Sequence, residues 1–472
     1  MSKDGSISKN AFRIASPVGP LPQGLSGWLA RIADRASNKA DRRDLPFHPE
    51  LQAAWADAPP TLLADLHSDT LLWGVDPWRA RSGGHMDLPR LFEARVGLQV
   101  FGGPTWTPLP MSNSEQALCV SCESIDQTNA LFPSDWIDRV RRSKAVLRRR
   151  RAHRLAERFH MMRQADLEGR LRAIFNAADL DGLRVANAAG DPGPAAPLGV
   201  MLSLEGLHWI EPDDPDALVE AEVRDLRAAG YRMIAPTHRF SNGLSGASED
   251  CEGRMGLSRA GRTMIRACFD ECVAVDLAHA SPAAIREAAG LALTHPSGAR
   301  PLVVSHAGIR GAHPVPRNLR AADVRAVAST GGVIGVGMWR EAVGFAEDDP
   351  FETKIKRIVD AFAAARDALT DPDFAEEMID RYGSYDPADH LALGSDFDGA
   401  TNTPFDVSGL SWLLAALARR QTAAGAPMFP PAALRKIAGE NIRRALRGAL
   451  ADPSAAAQGE GLSPGQTQIA AE

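Results

Sequence analysis

His67 and Asp69 close the apolar run Leu62-Leu63-Ala64-Asp65-Leu66, and their types and spacing could do chemistry. In a strand, successive side chains face opposite ways, so these two share a face. An imidazole and a carboxylate one strand repeat apart can hold one metal ion between them. The same pair also fits two solvated polar residues at a strand end, because so short a motif is common by chance. Other apolar runs repeat the arrangement. One ends Leu202-Ser203-Leu204-Glu205, one Pro236-Thr237-His238, one Asp276-Leu277-Ala278-His279, one Val303-Val304-Ser305-His306 and one Gly394-Ser395-Asp396. The chain has 12 His, and four of them fall at these run ends. Four imidazoles with several carboxylates suit Zn²⁺ or a similar divalent ion. They are too many for one ion, and Glu205 could bridge two held roughly 3.5–4 Å apart with a hydroxide between them.

The elements that must position these residues are eight strand-like runs: 62–66, 97–101, 198–204, 231–236, 273–277, 301–305, 333–338 and 390–394. Near-continuous apolar runs alternating with helical sequence predict a parallel sheet covered on both faces. Eight is the count that closes a (β/α)₈ barrel of the TIM type, in which catalytic groups lie at the C-terminal strand ends. Helices are expected over 212–229, over 258–272 behind a Ser258 cap, and after Ser281-Pro282. The stretch 102–197 exceeds one crossover and predicts extra rim helices between the second and third strands. Residues 1–55 read as an N-terminal extension, with a loop over 17–24 and an amphipathic helix over 28–41. Residues 56–450 read as the barrel. The Ala/Gly/Ser/Pro/Gln-rich residues 451–472 read as a disordered tail.

Composition narrows the class. The chain has 472 residues, 44% hydrophobic and 24% charged, with a formal net charge of -6. That is ordinary globular composition, with no general pull toward nucleic acid or an anionic membrane. No apolar run approaches the roughly 18 residues of a spanning helix. The N-terminal residues lack the apolar core of a signal peptide, so a cytoplasmic protein is the plain inference. Five cysteines make no disulfide framework. Cys119 and Cys122 have CxxC spacing without a second pair, and Cys268 and Cys272 are expected on one helix face. The basic run 139–154 reads as a solvated helix face rather than a nucleic-acid patch, given the acidic chain around it.

From about Asp65 to Leu446 the ordered motifs resemble the membrane (renal) dipeptidase family of zinc metallopeptidases, soluble bacterial-type members in particular. The matching segments are His67-Ser68-Asp69, Gly84-His85-Met86-Asp87-Leu88-Pro89-Arg90-Leu91, Glu205-Gly206-Leu207-His208, Val275-Asp276-Leu277-Ala278-His279-Ala280-Ser281, Ser305-His306, Arg317-Asn318-Leu319, Gly394-Ser395-Asp396-Phe397-Asp398-Gly399 and Gly439-Glu440-Asn441. Leu207 and Trp209 depart from the family pattern near the site and put the substrate, not the metal, in question.

The resemblance implies an amidohydrolase-like barrel holding two Zn²⁺ per chain, other divalent ions being possible. His67 and Asp69 would bind the first ion, Glu205 would bridge, and His279 and His306 would bind the second. His238 would sit over the substrate carbonyl or tetrahedral oxygen. Arg317 would hold the substrate's terminal carboxylate, and Asp396 would move protons between the nucleophilic water and the leaving amine. The expected reaction is hydrolysis of the peptide bond of dipeptides by a metal-bridged hydroxide, in a homodimer with no nucleic-acid or membrane partner. Two other readings remain open: the same site acting on another small amide or lactone (an N-acyl amino acid, a β-lactam), and a metal-binding scaffold without catalysis.

Overall fold

The structure, a computed structural model, describes residues 32, 34–56, 58–107, 143–186, 196–250 and 255–452. The loop 17–24, the Cys119/Cys122 pair, Cys251 and nearly all of the expected tail lie outside the described residues. In chain order the strands are β1 (Lys39–Arg42), β2 (Ala64–Asp65), β3 (Leu98–Phe101), β4 (Leu171–Ala173), β5 (Leu198–Glu205), β6 (Tyr231–Ala235), β7 (Ala274–Val275), β8 (Val303–Ala307), β9 (Val333–Val336), β10 (Leu391–Leu393) and β11 (Asn402–Phe405). Each of the eight apolar runs contains a strand. They read as continuous apolar sequence because both faces are covered: β3, β5, β8, β9 and β10 are buried at every position.

Among the described residues every strand-to-strand pairing is parallel. One sheet runs β2-β3-β5-β6-β7, with β4 laid beside β5, and a second runs β8-β9-β10. Single contacts join their edges. Leu277 N donates to Val303 O at 2.8 Å, and Asp276 bridges Val303. On the other side Leu66 N donates to Leu393 O at 3.2 Å, and Ser68 bridges Phe397. The result is an α/β fold with a curled parallel sheet. Leu66, Leu98, Val100, Met201, Met233, Ala274, Val303, Val333 and Ala392 meet in one buried cluster, with Ile442, Ala445 and Leu446 of the helix Asn441–Ala449 beneath them.

The helices that return the chain are capped as their sequences direct. Ser258 Oγ accepts from Gly261 N ahead of the helix Arg259–Asp270, and Ser281 Oγ accepts from Ala284 N ahead of Pro282–Leu293. No helix among the described residues is long and apolar enough to cross a membrane.

Three expectations need correction. The helix expected over 28–41 is present at residues 34–37 but stops short, and residues 39–42 form β1, which pairs in parallel with β11; an edge strand was available there for its main-chain bonds. Cys272 does not share a helix face with Cys268, because the helix ends at Asp270 and Cys272 has φ 54°. The basic run is not simply a solvated face. In the helix Lys144–Gln164, Arg151 Nη1 donates to Thr105 O, Arg148 Nη1 to His208 O and Arg158 Nη1 to Leu71 O and Leu72 O, all at 2.8 Å. These guanidiniums donate to main-chain carbonyls outside the strands.

Candidate active site

The C-terminal ends of β2, β5, β6, β8 and β10, with the segment after β7, carry the residues singled out from the sequence. Glu205 ends β5 and lies between three histidines. Its Oε2 is 3.5 Å from His67 Nε2, while its Oε1 is 3.2 Å from His279 Nε2 and 3.6 Å from His306 Nε2. Asp69 Oδ1 is 3.3 Å from His67 Nε2, and the two imidazole Nε2 atoms of His279 and His306 are 3.1 Å apart. Three overlapping groups result: His67, Asp69 and Glu205; Glu205, His279 and His306; and His67, His306 and Asp396, with ligand atoms in each within 4.8 Å of one another. Every one of these side chains is buried.

Buried polar atoms are normally hydrogen-bonded. Here His67 Nε2 and Asp69 Oδ1, which face each other, and Glu205 Oε1, which faces His279 and His306, have no hydrogen bond. Their electrostatics ask for positive charge. Burial raises Glu205 well above the usual carboxylate range, and Asp69, Asp396 and Asp276 push it further. Burial likewise lifts Asp396 to about 8, helped by Asp69. Burial opposes charging of His67, yet Glu205, Asp69 and Asp396 outweigh it and raise it to about 10. His279 and His306 go the other way: burial, and the cations around them, hold both well below the usual histidine range. Neutral imidazoles facing carboxylates that lack a partner form a donor set that fits divalent cations.

His238, Arg317 and Asp396 border this cluster. The His238 ring lies 4.5 Å from that of His279, centroid to centroid. Its Nδ1 donates to Trp106 O at 3.0 Å, and burial pushes its pKa down to about 3. Arg317 is tied to strand ends: Nη1 donates to Ala278 O, and Nη2 to His306 O at 2.8 Å. Asp396 has φ 57°, a left-handed conformation uncommon for a residue with a side chain. Two glycines are required by close approach. A Cβ on Gly102 would lie 2.3 Å from His67 Cε1, and one on Gly399 would lie 2.0 Å from Asp396 Oδ1.

A sequence profile of the family described as membrane dipeptidase, peptidase family M19, matches residues 56–458. The chain belongs to this family. A Klebsiella pneumoniae protein described by its place in the pqqA 5' region is 28% identical over 295 residues, 60% of this chain and 88% of its own length. A Schizosaccharomyces pombe protein named as the uncharacterized dipeptidase C3A11.10c is 28% identical over 224 residues, 47% of each chain. A metallo peptidase from Rhodobacter sphaeroides, solved with a phosphinate mimic of the dipeptide L-Ala-D-Ala, has the same fold. It is 21% identical with a TM-score of 0.55, covering 83% of this chain and 100% of its own. This protein is a metallo-dipeptidase.

Sequence reasoning passed over two carboxylates of this dipeptidase. Asp276 accepts at Oδ1 from Ser305 N at 2.9 Å and at Oδ2 from Ser305 Oγ at 2.5 Å. With its own O–H donated to Asp276, Ser305 Oγ accepts a hydrogen bond from His306 Nδ1–H at 2.9 Å, which leaves His306 Nε2 unprotonated on the cluster side. Asp65 repeats the arrangement, accepting at Oδ1 from Ser395 N and at Oδ2 from Ser395 Oγ, both at 2.8 Å. The available signal was the Asp two or three residues before a histidine, matched by a Ser directly before another strand-end residue. Of the two departures from the family pattern, Leu207 is fully buried and Trp209 turns its indole N–H to Glu222 at 3.1 Å. His208 between them accepts at Nε2 from His238 N at 3.3 Å.

Proposed function

We propose that this metallo-dipeptidase hydrolyses the peptide bond of dipeptides at a binuclear zinc site. Glu205 carries the reading. Its two carboxylate oxygens face different partners, His67 on one side and His279 with His306 on the other. A carboxylate placed so can serve two ions, with His67 and Asp69 completing one and His279 and His306 the other. When bound, two zinc ions lower the pKa of water toward neutrality and polarise the scissile carbonyl.

The remaining roles belong to the chain's own side chains. Asp396, whose carboxylate burial makes more basic than usual, takes the proton of the attacking water in its ionised form and then passes it to the leaving amine. His238 donates through Nδ1 to Trp106 O, so its neutral ring carries no proton at Nε2. Holding the tetrahedral oxygen calls for the charged ring, which negative charge on that oxygen favours. Arg317 offers a guanidinium fork suited to a terminal carboxylate. The eight strands β2, β3 and β5 through β10 are read as a closed (β/α)₈ barrel spanning residues 56–450. The edge contacts at Leu66/Leu393 and Leu277/Val303, and the buried cluster fed by all eight strands, support closure. A homodimer in the cytoplasm completes the reading, and light scattering and cell fractionation test it.

The deciding experiment measures metal content and cleavage of a small panel of L,L and L,D dipeptides, before and after chelation. About two zinc per chain, with chelator-sensitive and zinc-restored cleavage, is the expected result. A full metal load with no dipeptide cleaved moves the substrate to another small amide or lactone. No bound metal, and no activity on adding it, overturns the site.

A further inference from the structure

The loop that carries Asp396 is held from outside the family-matched region. Asp396, Asp398 and Ala400 have φ of 57°, 60° and 60°, so three residues with side chains alternate through the left-handed region. Such a backbone persists only where its surroundings over-determine it. Part of that determination comes from the segment 34–48, which precedes the matched residues 56–458. Asn38 Oδ1 accepts from Ala400 N at 2.8 Å, and Asn38 Nδ2 donates to Asp34 Oδ1 at 2.9 Å. Arg81 joins Asp34 to Asp398, its Nη1 donating to Asp398 Oδ2 at 2.7 Å. His85 is a second strut. Asp398 N donates to His85 Nδ1 at 2.8 Å, which places the ring proton on Nε2, and Nε2 donates to Lys39 O at 2.9 Å. Lys39 N in turn donates to Thr401 O at 3.2 Å, where β1 begins to pair with β11.

We propose that the segment 34–48 braces the loop 396–401 and that Asn38 is a positioning residue for Asp396. Asn38 touches neither substrate nor the metal cluster; it acts through the peptide N–H of Ala400. The inference rests on reading Asp396 as the proton-carrying group, and its test is built so that the two can fail separately.

Asn38→Ala and Lys354→Met are made in the full chain and loaded with zinc. Lys354 Nζ pairs with Asp41 of β1 and donates to Glu347 O, both at 2.6 Å, so its loss loosens the same segment at another point. For Asn38→Ala the expected result is a kcat about tenfold lower with KM within about twofold, at unchanged zinc content. Hydrogen exchange in a peptide spanning 396–406 should run about tenfold faster. Lys354→Met should lower the melting temperature while leaving both kcat and that exchange as in the parent. The brace is overturned if Asn38→Ala leaves kcat and exchange unchanged, or if both variants speed the exchange equally. If the parent cleaves no dipeptide, the role of Asp396 falls, and the exchange comparison alone decides whether Asn38 holds the loop.

Discussion

Two of the candidate ligands, His306 and Asp396, directly follow a serine that a buried aspartate holds. His306 is the clearest case. Asp276 holds Ser305 by its N–H and its hydroxyl, and Ser305 Oγ accepts a hydrogen bond from His306 Nδ1–H. Replacing Asp276 by Asn removes the acceptor that keeps the Ser305 proton away from the histidine. The expected outcome for Asp276→Asn is zinc affinity weakened by about 10- to 100-fold, read by competition with a chelator of known affinity. Unchanged affinity would show that His306 is held by packing alone. At this scale the sequence was informative: His67, Asp69, Glu205, His279, His306 and Asp396 converge within a few ångströms, as their places at strand ends led one to expect. Asp65 and Asp276 stayed hidden because an Asp inside an apolar run carries no sign of which neighbouring strand it serves.

Among the elements, the two shortest strands of the six-stranded sheet stand where it meets the second sheet. β2 and β7 have two residues each. Beyond them the ladder thins to single main-chain bonds and side chains join in, Asp65 accepting from the N–H of Ser395 and Asp276 from that of Ser305. This is why the apolar runs 62–66 and 273–277 are longer than the strands they form. The helices follow local rules more closely. Ser281 caps Pro282–Leu293, which starts just past His279, and Ser281 Oγ also donates to Met255 O at 2.6 Å. Ser281→Ala should cost about 1 kcal/mol of stability, measured by denaturant unfolding. A loss of a few tenths or less would mean the proline at the first helical position suffices. The arginine-rich helix taught the opposite lesson. Its composition suggested solvent, but Thr105 O, His208 O, Leu71 O and Leu72 O were the acceptors waiting for it.

For the whole molecule, buried titratable groups away from the site tie stability to pH. His390 is buried at the start of β10, donating from Nδ1 to Gly332 O at 2.9 Å, and burial lowers its pKa from 6.5 to about 4. A lowered histidine pKa means the unfolded chain binds the proton first. The stabilising contribution is therefore full above pH 6.5 and is lost as pH falls toward 4, by about 3 kcal/mol in all. His390→Gln, which keeps a donor for Gly332 O and cannot charge, should flatten that part of the stability–pH curve; an unchanged slope would place the acid sensitivity elsewhere. By itself the sequence determined the parallel α/β order, because strands buried on both faces must be apolar along their length, and it determined the ligand types, because metal chemistry admits few. Only the tertiary structure decided which oxygen of Glu205 meets which histidine, which serines turn the ligands, and that residues 34–48 reach the loop of Asp396. Those contacts join residues tens to hundreds of positions apart, and local pattern holds no record of a distance closed by folding.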